Sequence, residues 1–331
     1  MLHTPGGSKR TLLVAVIAAT TILLVSVGCV SGRTYRTQIQ TSAYCVHDQD
    51  HDCSSEALHV VAGPATTSAP VLLGYVEFDD QGYLRRPDIK DALVAHMRKL
   101  AHDRPLLIAV FAHGWKHNAE ASDGNVKAFE LFLTKLAAAD AQVCAGTSCE
   151  GRQVVGIYLG WRGLSNRIEP FKTLTFWGRK NRAHRVGGDG ATEILTELAK
   201  IKAIKREGEK PAQSRLVITG HSFGGALVYN AINQMLMRDT EFINKNRVAR
   251  NAADLVVLVN PAFEASRFHA IKRKADGLSF LPKQKPILTV FTSEADTATK
   301  WAFPAGRRFG TMFSEHRDAE QREQNIRALG H

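Results

Sequence analysis

Short, mainly apolar runs alternate along the chain with longer segments in which apolar residues recur every three or four positions. The apolar runs cover residues 71–79, 106–112, 154–159, 216–219, 255–259 and 287–291. Runs of this kind are typical of strands that are buried on both faces of a sheet. The segments between them predict amphipathic helices around residues 89–100, 126–136, 194–201 and 228–235.

The alternation of strand and helix predicts the fold class. Because such alternation gives right-handed crossovers, we expect an α/β domain over residues 71–331, with a mainly parallel sheet and helices on both faces. Ligands of such sheets bind at the carboxyl ends of the strands. Polar and glycine-rich motifs follow five of the predicted strands, as AHGW, GWRG, GHSFGG, NPAFEA and SEAD. We therefore expect the functional site at that edge of the sheet.

One of these motifs places a serine between two glycines at a strand-to-helix junction. The stretch LVITGHSFGGALV contains Ser222 between Gly220 and Gly224. A serine at a sharp turn of this kind is presented to the cleft as a nucleophile, whereas the alternative is a serine that only caps the helix. The backbone N–H of Phe223, at the start of the helix, is then directed at a developing oxyanion.

The order of the motifs HGW, GHSFGG and SEAD resembles the α/β-hydrolase fold over about residues 71–331. Four further stretches are together similar to a family of uncharacterised bacterial α/β-hydrolase-like lipoproteins; they are LGYVEFDDQG, FAHGWKHNA, YLGWRG and LTFWGRK. The resemblance implies an oxyanion loop at His113-Gly114, with the amides of Trp115 and Phe223 as donors. His113 itself is expected to hold its loop rather than to react. The resemblance implies a fold and no particular substrate.

A serine hydroxyl becomes an effective nucleophile when a histidine takes its proton and a carboxylate orients that histidine. The expected chain order is serine, acid, histidine. Asp296 follows the 287–291 strand, where the resemblance places the acid. Glu294 and Glu264 are alternative acids, although each is more typical of a surface carboxylate.

Two histidines follow Asp296, and neither comes after a clear apolar strand. We favour His331 as the base because ALGH resembles the start of a loop, whereas His316 belongs to a predicted exposed helix. The relatives continue past the matching Gly-His into a further His-containing segment. The third alternative is therefore that the domain lacks its C-terminal end and that the base lies beyond residue 331.

The N-terminus has the pattern of an export signal. Lys9 and Arg10 precede an uncharged run over residues 11–27, and a small residue stands directly before Cys29. The pattern resembles a lipoprotein signal peptide over residues 1–28, with Cys29 as the lipidated residue. An uncleaved membrane anchor is the alternative. Both versions place the protein at the cell envelope, anchored to the membrane and facing the periplasm or the exterior.

Residues 29–70 are rich in small and polar residues without a helical or strand period, and we interpret them as a tether. Beyond the lipidated cysteine an even number of cysteines remains, which suits an oxidising compartment. The short spacing favours a disulfide between Cys45 and Cys53. The same reasoning favours a disulfide between Cys144 and Cys149, but four cysteines allow three connectivities, and free, buried thiols are a further alternative.

The chain carries a formal net charge of +11, and its 44% hydrophobic and 23% charged residues are ordinary for a globular protein. The basic residues concentrate in residues 179–185, 200–210 and 244–250, without interleaved aromatic residues. This pattern argues against a nucleic-acid partner. It favours a solvated surface that faces anionic lipid.

No metal ion or other cofactor is expected. His113 and His117 are four residues apart but span a glycine loop, and the glutamate of the zinc-protease pattern is missing between them. Aromatic residues around the GWRG and LTFWGRK motifs serve either an acyl pocket or the core; they are Trp161, Phe171, Phe176 and Trp177.

Together these features predict a serine hydrolase that cleaves the carboxylic ester of a lipid or of a small molecule through an acyl-enzyme. The predicted catalytic residues are Ser222, Asp296 and His331. The alternative is a non-catalytic, lipid-anchored envelope protein that binds a ligand or partner in the same cleft. Acyl transfer to an alcohol requires the same residues and is a third alternative.

Overall fold

The structure, a computed structural model, describes most of the α/β domain and part of the chain that precedes it. The described residues are 32–46, 51–61, 69–145, 151–163, 176–208, 213–246, 252–279, 285–296, 298–311 and 314–331. The predicted signal peptide, Cys29, Cys149 and Phe171 lie outside these ranges, as do the side chains of Phe176 and Trp177.

Eight strands form one sheet within the described residues. In chain order they are β1 (Cys45–Val46), β2 (Leu58–Val61), β3 (Val71–Glu77), β4 (Leu106–Ala112), β5 (Gln153–Gly160), β6 (Arg215–His221), β7 (Leu255–Val259) and β8 (Leu288–Phe291). Their spatial order is β1-β2-β3-β5-β4-β6-β7-β8. The β2–β3 pair is antiparallel and the other neighbouring pairs are parallel. The predicted α/β class with a mainly parallel sheet is therefore confirmed.

Eight α-helices accompany the sheet in the described part of the chain. They are α1 (Pro87–Asp103), α2 (Gly124–Cys144), α3 (Phe176–Gly188), α4 (Gly190–Lys202), α5 (Phe223–Asn246), α6 (His269–Asp276), α7 (Phe303–Gly310) and α8 (Ala319–Ile326). The four predicted amphipathic helices correspond to α1, α2, α4 and α5. None of the helices in the described ranges combines the length and the hydropathy that a membrane span requires.

The sheet separates two layers of apolar side chains. In β4, Ile108 and Val110 face one layer with α1, α4 and α5, whereas Leu107 and Ala109 face the other layer with α2. Successive side chains of a strand point to opposite faces, so a continuous apolar run is what a strand covered on both faces requires. This explains why the strands were recognisable from the sequence.

The strand order reverses around β4, which pairs with β5 on one side and with β6 on the other. A crevice opens outside the carboxyl ends of the strands at such a reversal. Ala112 at the end of β4 lies opposite Gly220 near the end of β6. The loops that follow these two strands are therefore neighbours, which brings the AHGW and GHSFGG motifs together.

Residues 45–61 contribute two strands to the sheet, although the sequence pattern predicted a tether without secondary structure over 29–70. The predicted disulfide between Cys45 and Cys53 is confirmed, with 5.8 Å between the two Cα atoms. Cys144 is also disulfide-bonded, and its partner lies outside the described residues.

A buried arginine explains why this segment folds without an apolar period. The guanidinium of Arg36 donates hydrogen bonds to the carbonyls of Ser54 at 2.9 Å and Ala119 at 3.2 Å, and it stacks on the ring of Tyr75 at 3.7 Å. Hydrogen bonds between a charged donor and buried carbonyls are stronger than those between neutral groups. The segment is held by polar contacts and a disulfide, which a search for apolar periodicity does not detect.

The basic stretch RKNRAHR was predicted to be a solvated surface, and this prediction is wrong for its first two residues. Arg179 and Lys180 are buried in α3. Arg179 donates to Asp80 at 2.8 Å, and Lys180 pairs with buried Glu264. A charge is tolerated in the interior when it is paired and hydrogen-bonded, and here the partners come from distant parts of the chain.

Helices α3 and α5 approach so closely that one glycine is required between them. An added Cβ at Gly187 would lie 2.3 Å from the carbonyl oxygen of Leu227 in α5, whereas a Cβ at Gly178 would meet nothing within 4 Å. Gly187→Ala is therefore expected to lower the free energy of unfolding by about 1–3 kcal/mol through overpacking. Gly178→Ala, the control in the same helix, should leave stability unchanged or raise it by up to about 1 kcal/mol. Urea denaturation measures both, and equal midpoints would contradict the packing described.

Candidate active site

Ser222 occupies a one-residue turn between β6, which ends at His221, and α5, which begins at Phe223. Its φ of 55° lies in the left-handed region that residues other than glycine rarely adopt. The turn is fixed by neighbouring backbone: the amide of Ser222 donates to the carbonyl of Val259 at 2.9 Å, and its carbonyl accepts from the amide of Ala262 at 3.1 Å. The serine therefore has the strained strand-to-helix geometry that the sequence motif predicts.

The two glycines of the motif are needed because backbone passes directly beside them. A Cβ at Gly224 would lie 2.0 Å from the carbonyl oxygen of Ala112, and a Cβ at Gly220 would lie 2.5 Å from that of Gly224. Any side chain would displace main chain at both positions. The glycines thus allow β4, β6 and α5 to converge at the serine.

Strain recurs in the loops that follow neighbouring strands. Within the described residues, non-glycine positive φ values occur at Lys116 (77°), Ser222 (55°) and Asn260 (43°). These residues follow β4, β6 and β7, which are adjacent in the sheet. Such outliers persist where surrounding contacts enforce them, and they cluster at functional sites. Their position at one edge of the sheet supports that edge as the functional one.

His113 holds the loop after β4. It is completely buried, its Nδ1 lies 2.9 Å from the carbonyl oxygen of Gly114, and its Nε2 accepts from the amide of Trp161 at 3.1 Å. A carbonyl can only accept and an amide can only donate, so the proton resides on Nδ1. Burial lowers the pKa of His113 to about 4, which keeps the ring neutral. The geometry agrees with the loop-holding role expected for this residue.

The same contacts settle where one of the candidate pocket aromatics lies. The indole of Trp161 stacks on the His113 ring at 5.5 Å between centroids, and its Nε1 donates to the His113 carbonyl at 3.0 Å. Trp161 is buried in this arrangement. It therefore braces the loop from within the core.

The two amides predicted to bind an oxyanion belong to segments that adjoin Ser222. A Cβ at Gly114 would lie 3.0 Å from the Cβ of Ser222, and Trp115 is the next residue along that loop. Phe223 follows Ser222 directly and is the first residue of α5, where backbone N–H groups lack an acceptor within the helix. The helix dipole favours negative charge at the same place.

Asp296 and His331 are brought together through Thr299. The Thr299 hydroxyl donates to Asp296 Oδ2 at 3.0 Å and lies 2.9 Å from His331 Nε2. A hydroxyl has one proton, and here the carboxylate receives it, so His331 must donate its Nε2–H to the threonine oxygen. Partial burial lowers the pKa of His331, and the charge of Asp296 acts in the opposite direction.

The segment that carries His331 is pinned against the loop after β7. The amide of Ala265 donates to the carbonyl of Arg327 at 3.1 Å, and the amide of Leu329 donates to the carbonyl of Phe263 at 2.9 Å. Ala328 and Leu329 are buried in the core. These contacts, rather than a further strand, determine where His331 lies.

The alternative acids occupy different environments. Glu294 is exposed, as expected of a surface carboxylate, but the same expectation is wrong for Glu264, which is buried. Burial alone raises the pKa of Glu264, but the charges of Lys180 and Arg307 outweigh it and lower the pKa to about 2. The same burial lowers the pKa of Lys180 to about 8. Glu264 is thus committed to a buried ion-pair cluster.

The alternative base is tied to another part of the molecule. His316 Nε2 lies 3.2 Å from Asn325 Nδ2 on α8, an amide that also contacts Arg307. Within the described residues, no hydrogen bond links His316 to Ser222 or Asp296. In the same described ranges, no hydrogen bond joins the Ser222 hydroxyl to His331 either. Catalytic hydrogen bonds are often long in free enzymes and tighten when substrate binds.

Reasoning from the sequence missed a histidine–aspartate pair next to the serine loop. His117 Nδ1 lies 3.0 Å from Asp123 Oδ1, and its Nε2 lies 3.1 Å from Asn125 Nδ2. Burial lowers the pKa of His221, and His117 is close enough for its charge to lower it further. The sequence signal that could have found this pair is Asp123, an N-cap residue of α2 that accepts a hydrogen bond from the amide of Asn125.

Comparison with known proteins supports the fold. Residues 190–326 match the family described as "Alpha/beta hydrolase of unknown function (DUF900)". The matched segment contains Ser222 and Asp296. The chain accordingly has an α/β-hydrolase-like fold, as the resemblance in its motifs implied. No curated protein and no solved structure matches the chain at a significant level.

The buried His113 makes stability depend on pH. Its folded pKa is about 4, against 6.5 for an ordinary histidine. Between these values the unfolded chain binds a proton that the folded protein excludes, so the free energy of unfolding falls as the pH drops from 6.5 towards 4. This histidine alone is expected to cost about 2 kcal/mol between pH 7 and pH 5. Urea denaturation measures the loss, and an NMR titration that places the His113 pKa above pH 6 would contradict it.

Proposed function

We propose that the protein is a serine hydrolase that cleaves carboxylic esters, of a lipid or of a small molecule, through an acyl-enzyme intermediate. The observation that carries the proposal is the turn at Ser222, with φ of 55° between β6 and α5. This strained turn lies at the carboxyl ends of the parallel strands, where the loops after β4 and β8 also begin. The matched family supports the hydrolase class but specifies no substrate.

In the proposed reaction, the Ser222 oxygen attacks the ester carbonyl while the imidazole of His331 takes the hydroxyl proton. The Nε2–H of His331 is committed to Thr299, which leaves Nδ1 as the basic nitrogen. The imidazolium that forms is stabilised by Asp296 through the threonine hydroxyl. The protonated histidine then gives its proton to the departing alkoxide, and an acyl-enzyme remains on Ser222.

The negative charge that develops on the carbonyl oxygen requires donors. The amides of Trp115 and Phe223 are proposed to supply them, each contributing about 2.7–4 kcal/mol to the transition state. Water then attacks the acyl-enzyme with His331 as the base, and the carboxylic acid leaves. The same geometry would serve acyl transfer if an alcohol replaced the water.

The proposed location is the cell envelope. The N-terminal pattern supports a lipoprotein anchored through Cys29, with the domain facing the periplasm or the exterior. Acyl chains on that cysteine would supply membrane affinity through buried methylene groups.

Replacing the nucleophile tests the proposal directly. Ser222→Ala is expected to lower kcat by several orders of magnitude, because catalytic residues that act as a unit fail together. Turnover of a panel of short-chain and long-chain p-nitrophenyl esters measures the effect. Ser314→Ala, a change at an exposed serine, is the matched control and should keep full activity. Unchanged turnover in Ser222→Ala would refute the assignment.

The relay through Thr299 generates a separate prediction. Thr299→Val removes the hydroxyl that joins Asp296 to His331, whereas Thr299→Ser retains it. We expect kcat to fall by about 10²–10³-fold in the valine variant with little change in KM, since the loss is felt in the transition state. The serine variant should recover most of the activity. Equal kcat values in the two variants would show that the hydroxyl plays no part.

A second candidate function is ligand binding without catalysis. It is favoured by the lack, within the described residues, of a hydrogen bond between the Ser222 hydroxyl and a histidine. This candidate predicts that wild-type protein and Ser222→Ala bind a long-chain fatty acid equally well and that neither turns over any ester of the panel. Calorimetric titration alongside the ester assays separates the two functions.

A further inference from the structure

A cavity of about 220 Å³ lies beside the loop that touches Ser222. Its walls come from the N-terminal segment, the end of β3, the loop after β4 and the end of β5. Four basic side chains line it, namely Arg33, Arg85, Lys116 and Arg162. A cavity with so many cationic groups is suited to an anion.

The acidic groups in the same walls are already engaged. Glu77 accepts hydrogen bonds from the amides of Tyr35 at 2.9 Å and Arg36 at 2.7 Å. Asp123 is bonded to His117, and Glu120 lies 3.7 Å from Arg33. These carboxylates offset part of the positive charge of the cavity, and the charge of Glu77 also acts on Arg85.

Two of the cations have no carboxylate within ion-pair distance in the described part of the chain. Arg85 donates through Nε to the carbonyl of Phe78 at 3.0 Å. The ammonium of Lys116 lies 4.6 Å above the ring of Trp115, and the positive φ of Lys116 sets its backbone direction. Both retain donors for a bound anion, because a guanidinium has five N–H groups and an ammonium has three.

Gly32 lies beside two of the three guanidinium groups of the cavity. A Cβ at Gly32 would lie 3.5 Å from Arg162 Nη1 and 3.7 Å from Arg85 Nη2. Arg162 shares the carboxylate of Asp80 with Arg179 and Arg182. Neighbouring guanidinium groups repel each other unless an anion lies between them, and their planar forks match the oxygens of a phosphate.

The cavity and the nucleophile share one loop. Lys116 and His117 line the cavity, and in the same loop an added Cβ at Gly114 would lie 3.0 Å from the Cβ of Ser222. A molecule whose ester lies at Ser222 can therefore place a second group near Lys116.

The chain also limits how far the cavity lies from the proposed lipid anchor. Gly32 lines the cavity and follows Cys29 by three residues, so their Cα atoms are at most about 11 Å apart. If Cys29 is acylated, the cavity opens near the membrane surface. Phospholipid head groups are the phosphates found there.

We propose that this cavity binds the phosphate group of the ester that Ser222 cleaves, so that the substrate class is a phosphate-bearing ester such as a phospholipid. The assignment of the cavity as a phosphate site stands on its own contacts, and the link to the ester rests on the proposed function. Lys116 and Arg85 are the principal ligands of the phosphate, with Arg162 beside them.

Binding is measured in neutral detergent on the 331-residue protein that carries Ser222→Ala, because this substitution prevents turnover of the probes. The probes are inorganic phosphate, dihexanoylphosphatidylglycerol below its micellar concentration and, as the uncharged counterpart, dihexanoylglycerol. Adding Arg85→Gln and Lys116→Gln is expected to weaken phosphate binding by roughly tenfold or more, because charge-assisted hydrogen bonds are lost. Lys99→Gln, an exposed change of the same charge on α1, is the control and should bind as its parent does.

Each outcome decides a part of the proposal. Parallel loss for phosphate and phosphatidylglycerol, with no change for dihexanoylglycerol, supports a phospholipid head group as the source. Loss of binding for inorganic phosphate alone supports the phosphate site but identifies a soluble phosphate ester, and not a phospholipid, as its ligand. Equal binding in the double variant and the control, or no saturable phosphate binding by the parent, overturns the proposal.

Two further measurements guard against misinterpretation. Gly32→Val places a side chain beside the guanidinium groups of Arg85 and Arg162 without removing charge, and it should weaken phosphate binding. This variant tests the site independently of the double variant, which could lose binding by unfolding. In the active protein, Arg85→Gln with Lys116→Gln should raise KM for phosphatidylglycerol by a larger factor than KM for an uncharged p-nitrophenyl ester. An equal change in KM for the two esters would contradict the link between the cavity and the ester that Ser222 cleaves.

Discussion

The backbone conformation of Ser222 is the constraint on which the candidate site depends. A φ of 55° is unfavourable for serine, and it persists because the N–H of Ser222 donates to Val259 and its C=O accepts from Ala262. Gly220 and Gly224 then let main chain pass at distances that no side chain would tolerate. The turn, the start of α5 and the loop after β4 pack directly against one another. The packing of these three elements therefore fixes the position of Ser222.

The remaining groups of the site depend on polar contacts between segments that are distant in sequence. Thr299 joins Asp296 to His331, and the backbone pairing of Leu329 with Phe263 places the final residues beside the loop after β7. His113 acts in a comparable way on the other side, where its neutral ring ties the loop after β4 to Trp161, the residue that follows β5. The site is thus assembled by hydrogen bonds on a rigid sheet.

The sequence was sufficient where apolar burial determines structure. The run at 106–112 became β4 without change of bounds, and the glycine-flanked serine was found at the predicted junction. The sequence was insufficient where pairs of polar residues determine the structure. Lys180 is buried because it pairs with Glu264, a residue 84 positions away. The strands within 45–61 were missed for the same reason, because Arg36 and a disulfide hold them. The pair His117–Asp123 joins the two ends of a loop and leaves no period to detect.

The central claim is that Ser222 is an activated nucleophile at the open edge of the sheet. The most direct test is incubation of the purified protein with a fluorophosphonate at neutral pH, followed by peptide mass mapping. The account predicts one phosphonylated residue, Ser222, in wild-type protein and no labelling in Ser222→Ala. A wild-type protein that remains unmodified, or that is modified at another serine, would contradict it.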